Sequence, residues 1–86
     1  MIFIRSDRFK ENYLKLNDEI KKKVKNKLKL MAENPMHPSL RTKRVQGTQH
    51  IFEASINMNI RITWQYAEND ILIRNIGEHD ETLKKP

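Results

Sequence analysis

One histidine lies where a rigid scaffold can present a reactive group. His79 follows Gly77-Glu78 at the end of the last apolar segment of the chain. Residues in loops at strand ends often carry function, and an imidazole exchanges protons near neutral pH. His79 is therefore a candidate general acid or base. The alternative is a structural imidazole that is hydrogen-bonded to Asp80.

A second candidate is Arg61, which lies within an alternating apolar segment. Its guanidinium is a planar fork of N–H donors that suits a phosphate, although it can also be a surface group paired with Glu53 or Glu78. A sheet that is lined with arginine and lysine and has one histidine at its end contains the groups needed for metal-independent RNA cleavage. In that reaction a 2′-hydroxyl attacks the adjacent phosphate. The basic residues that can support Arg61 are Lys43, Arg44 and Arg74.

The other histidines are weaker candidates. His37 lies in a loop flanked by prolines, and a structural or exposed role fits it best. His50 lies at a turn beside the basic segment, from which it can reach a bound ligand. No His-x-x-x-His pair or carboxylate cluster is present in the sequence, so we expect neither a metal nor another cofactor.

The composition narrows the possible classes. The 86 residues, 37% hydrophobic and 33% charged, predict one domain over residues 1–86. The absence of cysteine excludes disulfides, thiolate zinc sites and a cysteine nucleophile. No apolar run approaches the roughly 18 residues of a membrane span, and no signal peptide is recognisable, so a cytoplasmic location is expected.

Positive charge is concentrated in the first half of the chain. Residues 1–45 contain 13 Lys/Arg and 5 Asp/Glu, whereas residues 46–86 contain 4 and 6, and the net charge is +6. Such an excess favours a polyanionic partner, because counterions are released when cations bind phosphates. A lysine-rich helix that only maintains solubility is the alternative.

The pattern of apolar residues predicts an α+β domain. The order is β-α-α-β-β-β-β, an antiparallel sheet with a two-helix hairpin packed on one face and a polar face left open. Ser6 and Asn17-Asp18 are the predicted helix caps. The predicted strands are Met1–Ile4, Leu40–Val45, Ile51–Ile56, Ile60–Tyr66 and a last strand that begins at Ile71, and the second helix ends near Glu33.

The hydrophobic pattern also fixes the hairpin registers. A three-residue loop, Asn57-Met58-Asn59, pairs Phe52 with Trp64 and keeps the apolar residues on one face. The same register places Ser55 opposite Arg61 and Glu53 opposite Thr63. In the next hairpin, pairing of Tyr66 with Ile71 and of Trp64 with Ile73 places Thr63 opposite Arg74.

The order of these elements resembles that of the RelE/ParE superfamily, the toxins of type II toxin–antitoxin systems. The segments that carry the resemblance are His37-Pro38, Val45-Gln46-Gly47-Thr48, Arg61-Ile62 and Ile73-Arg74-Asn75-Ile76-Gly77-Glu78-His79-Asp80-Glu81-Thr82-Leu83. Its Gly-x-His-x-x-x-Leu ending is similar to the RelE-like branch that contains YafQ. The resemblance implies a RelE-like microbial RNase fold and a ribosome-dependent mRNA endonuclease that arrests translation.

The resemblance also implies site residues and partners. His79 matches the family's acid/base histidine, Arg61 the arginine at the scissile phosphate, and Glu53 is a possible substitute for a missing glutamate base, whose place Ser39 occupies. The implied RNA-binding residues are Lys43, Arg44 and Arg74, with Arg41 and His50 nearby. The implied partners are an antitoxin, in a hetero-oligomer, and the ribosome with its mRNA, without a membrane. A ParE-like gyrase inhibitor and an inactive RNA-binding module are the alternatives.

Overall fold

The computed structural model describes residues 2–86, and its elements follow the predicted order with two additions, a 3₁₀ turn and a third helix. The strands are β1 (Phe3–Arg5), β2 (Lys43–Arg44), β3 (Phe52–Ser55), β4 (Ile60–Ala67) and β5 (Asp70–Glu78). The helices are α1 (Asp7–Leu14), α2 (Asp18–Glu33) and α3 (His79–Lys84), with a 3₁₀ turn at Pro38–Leu40. Met1, which the predicted first strand includes, lies outside the described residues.

The two long helices begin at the predicted caps. The Ser6 side chain accepts a hydrogen bond from the Phe9 N–H, and the Asn17 side chain accepts one from the Ile20 N–H. Each bond satisfies a backbone donor that has no partner within its helix. The apolar stripe of α2 then packs on one face of the sheet, where Val24, Leu28 and Met31 are buried.

The hairpin between β3 and β4 has the predicted register. Phe52 pairs with Trp64 and Ser55 with Arg61, around the predicted three-residue loop. The rings of Phe52 and Trp64 stack with their centroids 4.9 Å apart on the face that the helices cover. Trp64 is fully buried, so this hairpin supplies the centre of the core.

The sheet is mixed, and the prediction of a wholly antiparallel sheet is wrong for β1. The strand order is β1-β5-β4-β3-β2, and β1 runs parallel to β5, with Phe3 opposite Ile71 and Arg5 opposite Ile73. The partner of β1 lies almost seventy residues away in the chain. A strand's own alternation does not specify the direction of so distant a partner, because that direction depends on how the intervening helices return the chain.

Two local predictions also need correction. The predicted strand Leu40–Val45 shortens to Lys43–Arg44, because Leu40 ends a 3₁₀ turn that buries its side chain and Arg41 has a left-handed φ of 49°. In the last hairpin a bulge shifts the register between Thr63 and Trp64, so that Thr63 pairs with Asn75 rather than with Arg74. One extra residue in a bulged strand changes every later pairing.

The polar face of the sheet, predicted to be open, is covered by α3 and the residues after it. The Pro86 carbonyl accepts hydrogen bonds from Thr63 Oγ1 and Arg74 Nε, both at 3.0 Å. Asn75 Nδ2 donates to the Lys85 carbonyl at 3.2 Å. Thr63 is consequently buried, and the sheet has a second, polar packing layer. No helix within residues 2–86 is long and apolar enough to cross a membrane.

Candidate active site

The backbone holds His79 at the junction of β5 and α3. Its N–H donates to the Asn59 carbonyl at 2.8 Å, which ties the start of α3 to the loop between β3 and β4. The imidazole is 43% exposed, and its Nδ1 lies 2.9 Å from Asp80 Oδ1. A proton on Nδ1 that is shared with Asp80 leaves Nε2 free to exchange a proton with a ligand. His79 thus has the access that an acid or base requires.

Gly77 allows α3 to fold back onto the sheet next to His79. A Cβ at Gly77 would lie 2.9 Å from Thr82 Oγ1, closer than carbon and oxygen approach in proteins. Thr82 itself is 2% exposed, so it cannot turn away into solvent. The absence of a side chain at Gly77 therefore permits the first turn of α3 to pack against the sheet.

Arg61 is fixed by the loop that it follows. Its Nη1 donates to the carbonyls of Asn57 at 2.7 Å and Met58 at 3.2 Å. The Nε lies 3.7 Å from Oε1 of Glu53, and the Arg61 side chain is 17% exposed. A guanidinium held in this way loses little entropy when it binds an anion, because its direction is already set.

Glu53 is a buried carboxylate between two cations. It is 4% exposed, and its Oε1 lies 3.7 Å from Arg61 Nε and 4.0 Å from Lys43 Nζ. Both groups stabilise a buried negative charge, which is otherwise costly. Arg61 thus pairs with Glu53, one of the two partners that the sequence offered for it. This pairing leaves Arg61 partly exposed to a ligand.

Three adjoining cavities surround these side chains. The central cavity, about 580 Å³, is lined by Arg61, His79 and Asp80 among others. The strand cavity, about 610 Å³, is lined by Lys43, Arg44, Glu53 and His79. The helix cavity, about 640 Å³, is lined by Lys27, Ser39, Arg41, Asn57, Met58 and Arg61. His79 lines both of the first two, and Arg61 lines the central and helix cavities.

The structure separates the predicted basic residues into two groups. Lys43 and Arg44 share the strand cavity with His79, and Arg41 lies in the helix cavity with Arg61. Arg74 instead donates to Gln65 Oε1 and to the Pro86 carbonyl, which draws it away from the three cavities. His50 is exposed in the loop after β2, also outside them.

One lining residue that sequence reasoning missed is Lys27. Its Nζ donates to the Ser39 carbonyl at 2.9 Å, and this bond draws the side chain across the 3₁₀ turn. Six lysines lie on α2, and their spacing alone does not distinguish this one. Only the position of the turn against α2 identifies it.

The charge of Asp80 suits proton exchange at His79. The hydrogen bond from His79 and the positive charge of the protonated imidazole lower the pKa of Asp80. Asp80 therefore stays ionised and can orient the imidazole across the ordinary pH range. Within residues 2–86, no group of three His, Cys, Asp or Glu side chains is arranged to hold a metal ion.

Neither a family model nor a curated protein matches the chain. Solved structures are similar in fold. A YoeB/ParE toxin from Agrobacterium tumefaciens superposes with a TM-score of 0.81 at 9% identity, over 92% of this chain and 99% of that one. YafQ from E. coli superposes with a TM-score of 0.79 at 13% identity, over 94% of this chain and 96% of that one. A chain of the RelB–RelE antitoxin–toxin complex from Methanococcus jannaschii superposes with a TM-score of 0.77 at 14% identity, over 96% of this chain and 99% of that one.

These similarities cover nearly the whole chain. Because the sequence identities are low, they establish the fold alone. They agree with the mixed five-stranded sheet and the helical hairpin described above. The resemblance to the RelE/ParE superfamily is thereby confirmed in its architecture, and the chain has the fold of the RelE, YafQ and YoeB toxins.

Proposed function

We propose that this protein is the toxin of a type II toxin–antitoxin system and acts as a metal-independent, ribosome-dependent mRNA endonuclease. The observation that carries the proposal is the central cavity, where a half-exposed imidazole and a pre-oriented guanidinium line one space. Basic residues line the cavities on both sides of it. The toxin fold of the chain supports the same assignment.

The proposed reaction uses the RNA's own 2′-hydroxyl as nucleophile. Its oxygen gives its proton to a base, for which Glu53 is the candidate, and bonds to the adjacent phosphorus while the bond from phosphorus to the 5′-oxygen breaks, leaving a 2′,3′-cyclic phosphate. His79 Nε2 protonates the departing 5′-oxygen, and Arg61 holds the negative charge that develops on the phosphate. Asp80 keeps the imidazole oriented through Nδ1.

Glu53 has two possible contributions that experiment can separate. Its carboxylate lines the strand cavity with His79, so it can take the proton of the 2′-hydroxyl. It also holds Arg61 through the 3.7 Å contact with Nε. Glu53→Gln abolishes proton uptake but keeps a neutral hydrogen-bonding group at Arg61. A loss of about 100-fold or more identifies a base, whereas a smaller loss identifies a positioning residue.

An acidic antitoxin is the proposed partner. Between α1 and the facing side of α2 lies a groove of about 340 Å³ that is lined by Phe9, Tyr13, Leu14 and Leu28. Arg5, Lys10 and Lys25 surround it, and Leu14 is 72% exposed. An amphipathic helix with acidic flanks complements such a groove in shape and charge. The proposed site of action is the cytoplasm, where ribosomes and mRNA are present.

The test is expression of the protein without an antitoxin. We expect growth arrest with discrete cuts in translated messages, detected by primer extension. His79→Ala and Arg61→Ala should relieve the arrest at equal protein levels, while Lys22→Ala, an exposed lysine of α2, should leave it unchanged. Intact messages together with blocked supercoiling by gyrase would instead assign the protein to the ParE-like inhibitors.

A further inference from the structure

The helix cavity is a concentrated cationic site of which the proposed cleavage step uses Arg61 alone. Lys27, Arg41 and Arg61 line it, and its lining residues, all within the described chain, include no carboxylate. Ser39, Ser55 and Asn57 add neutral groups that can donate or accept hydrogen bonds. Three cations with neutral donors form a suitable environment for a phosphate.

The local structure places each cation in this cavity. Lys27 is partly buried, and its ammonium group is fixed by the Ser39 carbonyl at 2.9 Å, whereas Lys22, Lys23, Lys25 and Lys29 of the same helix are exposed. An ammonium group has three N–H donors, so two remain for a ligand.

Arg41 enters the cavity because of its backbone conformation. Its φ of 49° is uncommon for a residue with a long side chain. Its N–H closes the 3₁₀ turn by donating to the Pro38 carbonyl at 3.1 Å. A left-handed residue redirects the chain, and here it leaves the Arg41 side chain exposed at the cavity.

Arg61 connects this cavity to the central one. Its Nη1 and Nε are engaged by the loop carbonyls and by Glu53. Among the described residues, Nη2 has no hydrogen-bond partner. Met58, 90% exposed, lines both cavities and presents an apolar surface next to the guanidinium. A strand of RNA in the central cavity can therefore continue into the helix cavity without leaving the protein surface.

We infer that the helix cavity is a second phosphate subsite, in which Lys27 and Arg41 bind an RNA phosphodiester beyond the one that reacts. The inference rests on the proposed function, since it names where the RNA continues beyond the reacting bond. Its occupant is RNA rather than an acidic protein segment, because the cavity shares Arg61 with the central cavity that contains His79.

The test measures binding without cleavage. The probe is a fluorescein-labelled single-stranded RNA of about twelve nucleotides, long enough to cross a site of this kind, with every 2′-hydroxyl methylated so that the proposed reaction cannot occur. Affinity is measured by fluorescence anisotropy over a series of salt concentrations. The variants are Lys27→Gln, which removes the charge but keeps a polar N–H group, and Arg41→Asn, since asparagine tolerates the left-handed conformation.

Each variant should weaken binding about fivefold at low salt and reduce the slope of log K against log salt by about 0.7, the value for one contact to a single strand. Lys29→Gln, which removes an equal charge from an exposed position of α2, should leave both quantities unchanged. Equal effects of Lys27→Gln and Lys29→Gln would overturn the subsite, as would preferential protection of the cavity by an acidic peptide. Absence of cleavage by the unaltered protein would refute the nuclease proposal without changing this result.

Discussion

The position of α3 depends on a close approach between Gly77 and Thr82 that a single methyl group tests. In Gly77→Ala the new Cβ would lie 2.9 Å from Thr82 Oγ1, whereas ordinary contact begins near 3.4 Å. The φ of Gly77 is not in the left-handed region, so alanine introduces no backbone strain. The steric cost of such overpacking is about 1–3 kcal/mol, partly offset by about 0.4–1 kcal/mol from the lower entropy of the unfolded chain.

We therefore expect Gly77→Ala to lower the free energy of unfolding by about 1–2 kcal/mol and Tm by about 4–16 °C. Activity should fall further than stability alone explains. His79, the proposed acid, is the first residue of α3, and a displacement of about 1 Å at such a group can reduce the rate about 100-fold. Urea unfolding followed by circular dichroism gives the stability, and growth arrest gives the activity.

A double-mutant cycle tests the steric argument itself. Thr82→Ala removes Oγ1, so Gly77→Ala should become nearly neutral in that background, with a coupling energy of about 1–2 kcal/mol. Thr82→Val keeps an atom at the position of Oγ1 and should not rescue. Gly47→Ala is the control glycine, since its φ of 85° makes alanine unfavourable although no atom lies within 4 Å. If Gly77→Ala lowered the free energy of unfolding equally with Thr82 and with Thr82→Ala, the steric explanation would be refuted.

Two further predictions concern the surface of the protein. The lowered pKa of Asp80 means that the stabilising contact between its carboxylate and His79 is fully present above the ordinary carboxyl pKa of 3.8 and is lost as pH falls through the lower folded value. Asp80→Asn should therefore have the same stability as the parent protein in very acidic buffer. Near neutrality it should change the pH profile of the proposed cleavage. An unchanged profile would argue against orientation of His79 by Asp80. Leu14→Glu should weaken binding of the proposed antitoxin at least about tenfold in calorimetry, because it places a charge in the apolar groove, while the growth arrest expected of the protein alone persists. Unaltered affinity would exclude the groove as the docking surface.

Much of the fold could be read from local patterns. The caps at Ser6 and Asn17 and the register of β3 with β4 were predicted correctly, because each depends on residues within a few positions of one another. The pairing of Glu53 opposite Thr63 followed from that register. The contact between Glu53 and Arg61 was therefore within the reach of sequence reasoning.

Features that depend on distant parts of the chain were not predicted. The parallel direction of β1 and the covering of the polar face by α3 both join segments that are far apart in sequence. The bulge beyond Trp64 moved Arg74 out of its expected pairing, and the Pro86 carbonyl then engaged it. Neither event has a signal in the alternation of apolar residues, because alternation reports the exposure of a strand and not its packing layer.

The sequence by itself determined the chemistry that is available: one histidine after the last strand, an arginine in the strand before it, no cysteine and a basic first half. Tertiary structure decided which of these groups meet. It brought His79 and Arg61 to one cavity, turned Glu53 inward, placed Lys27 apart from the other lysines of α2 and drew Arg74 away. The physical reason is that residue type sets what a side chain can do, whereas long-range packing, satisfied only in the complete fold, sets where it is held.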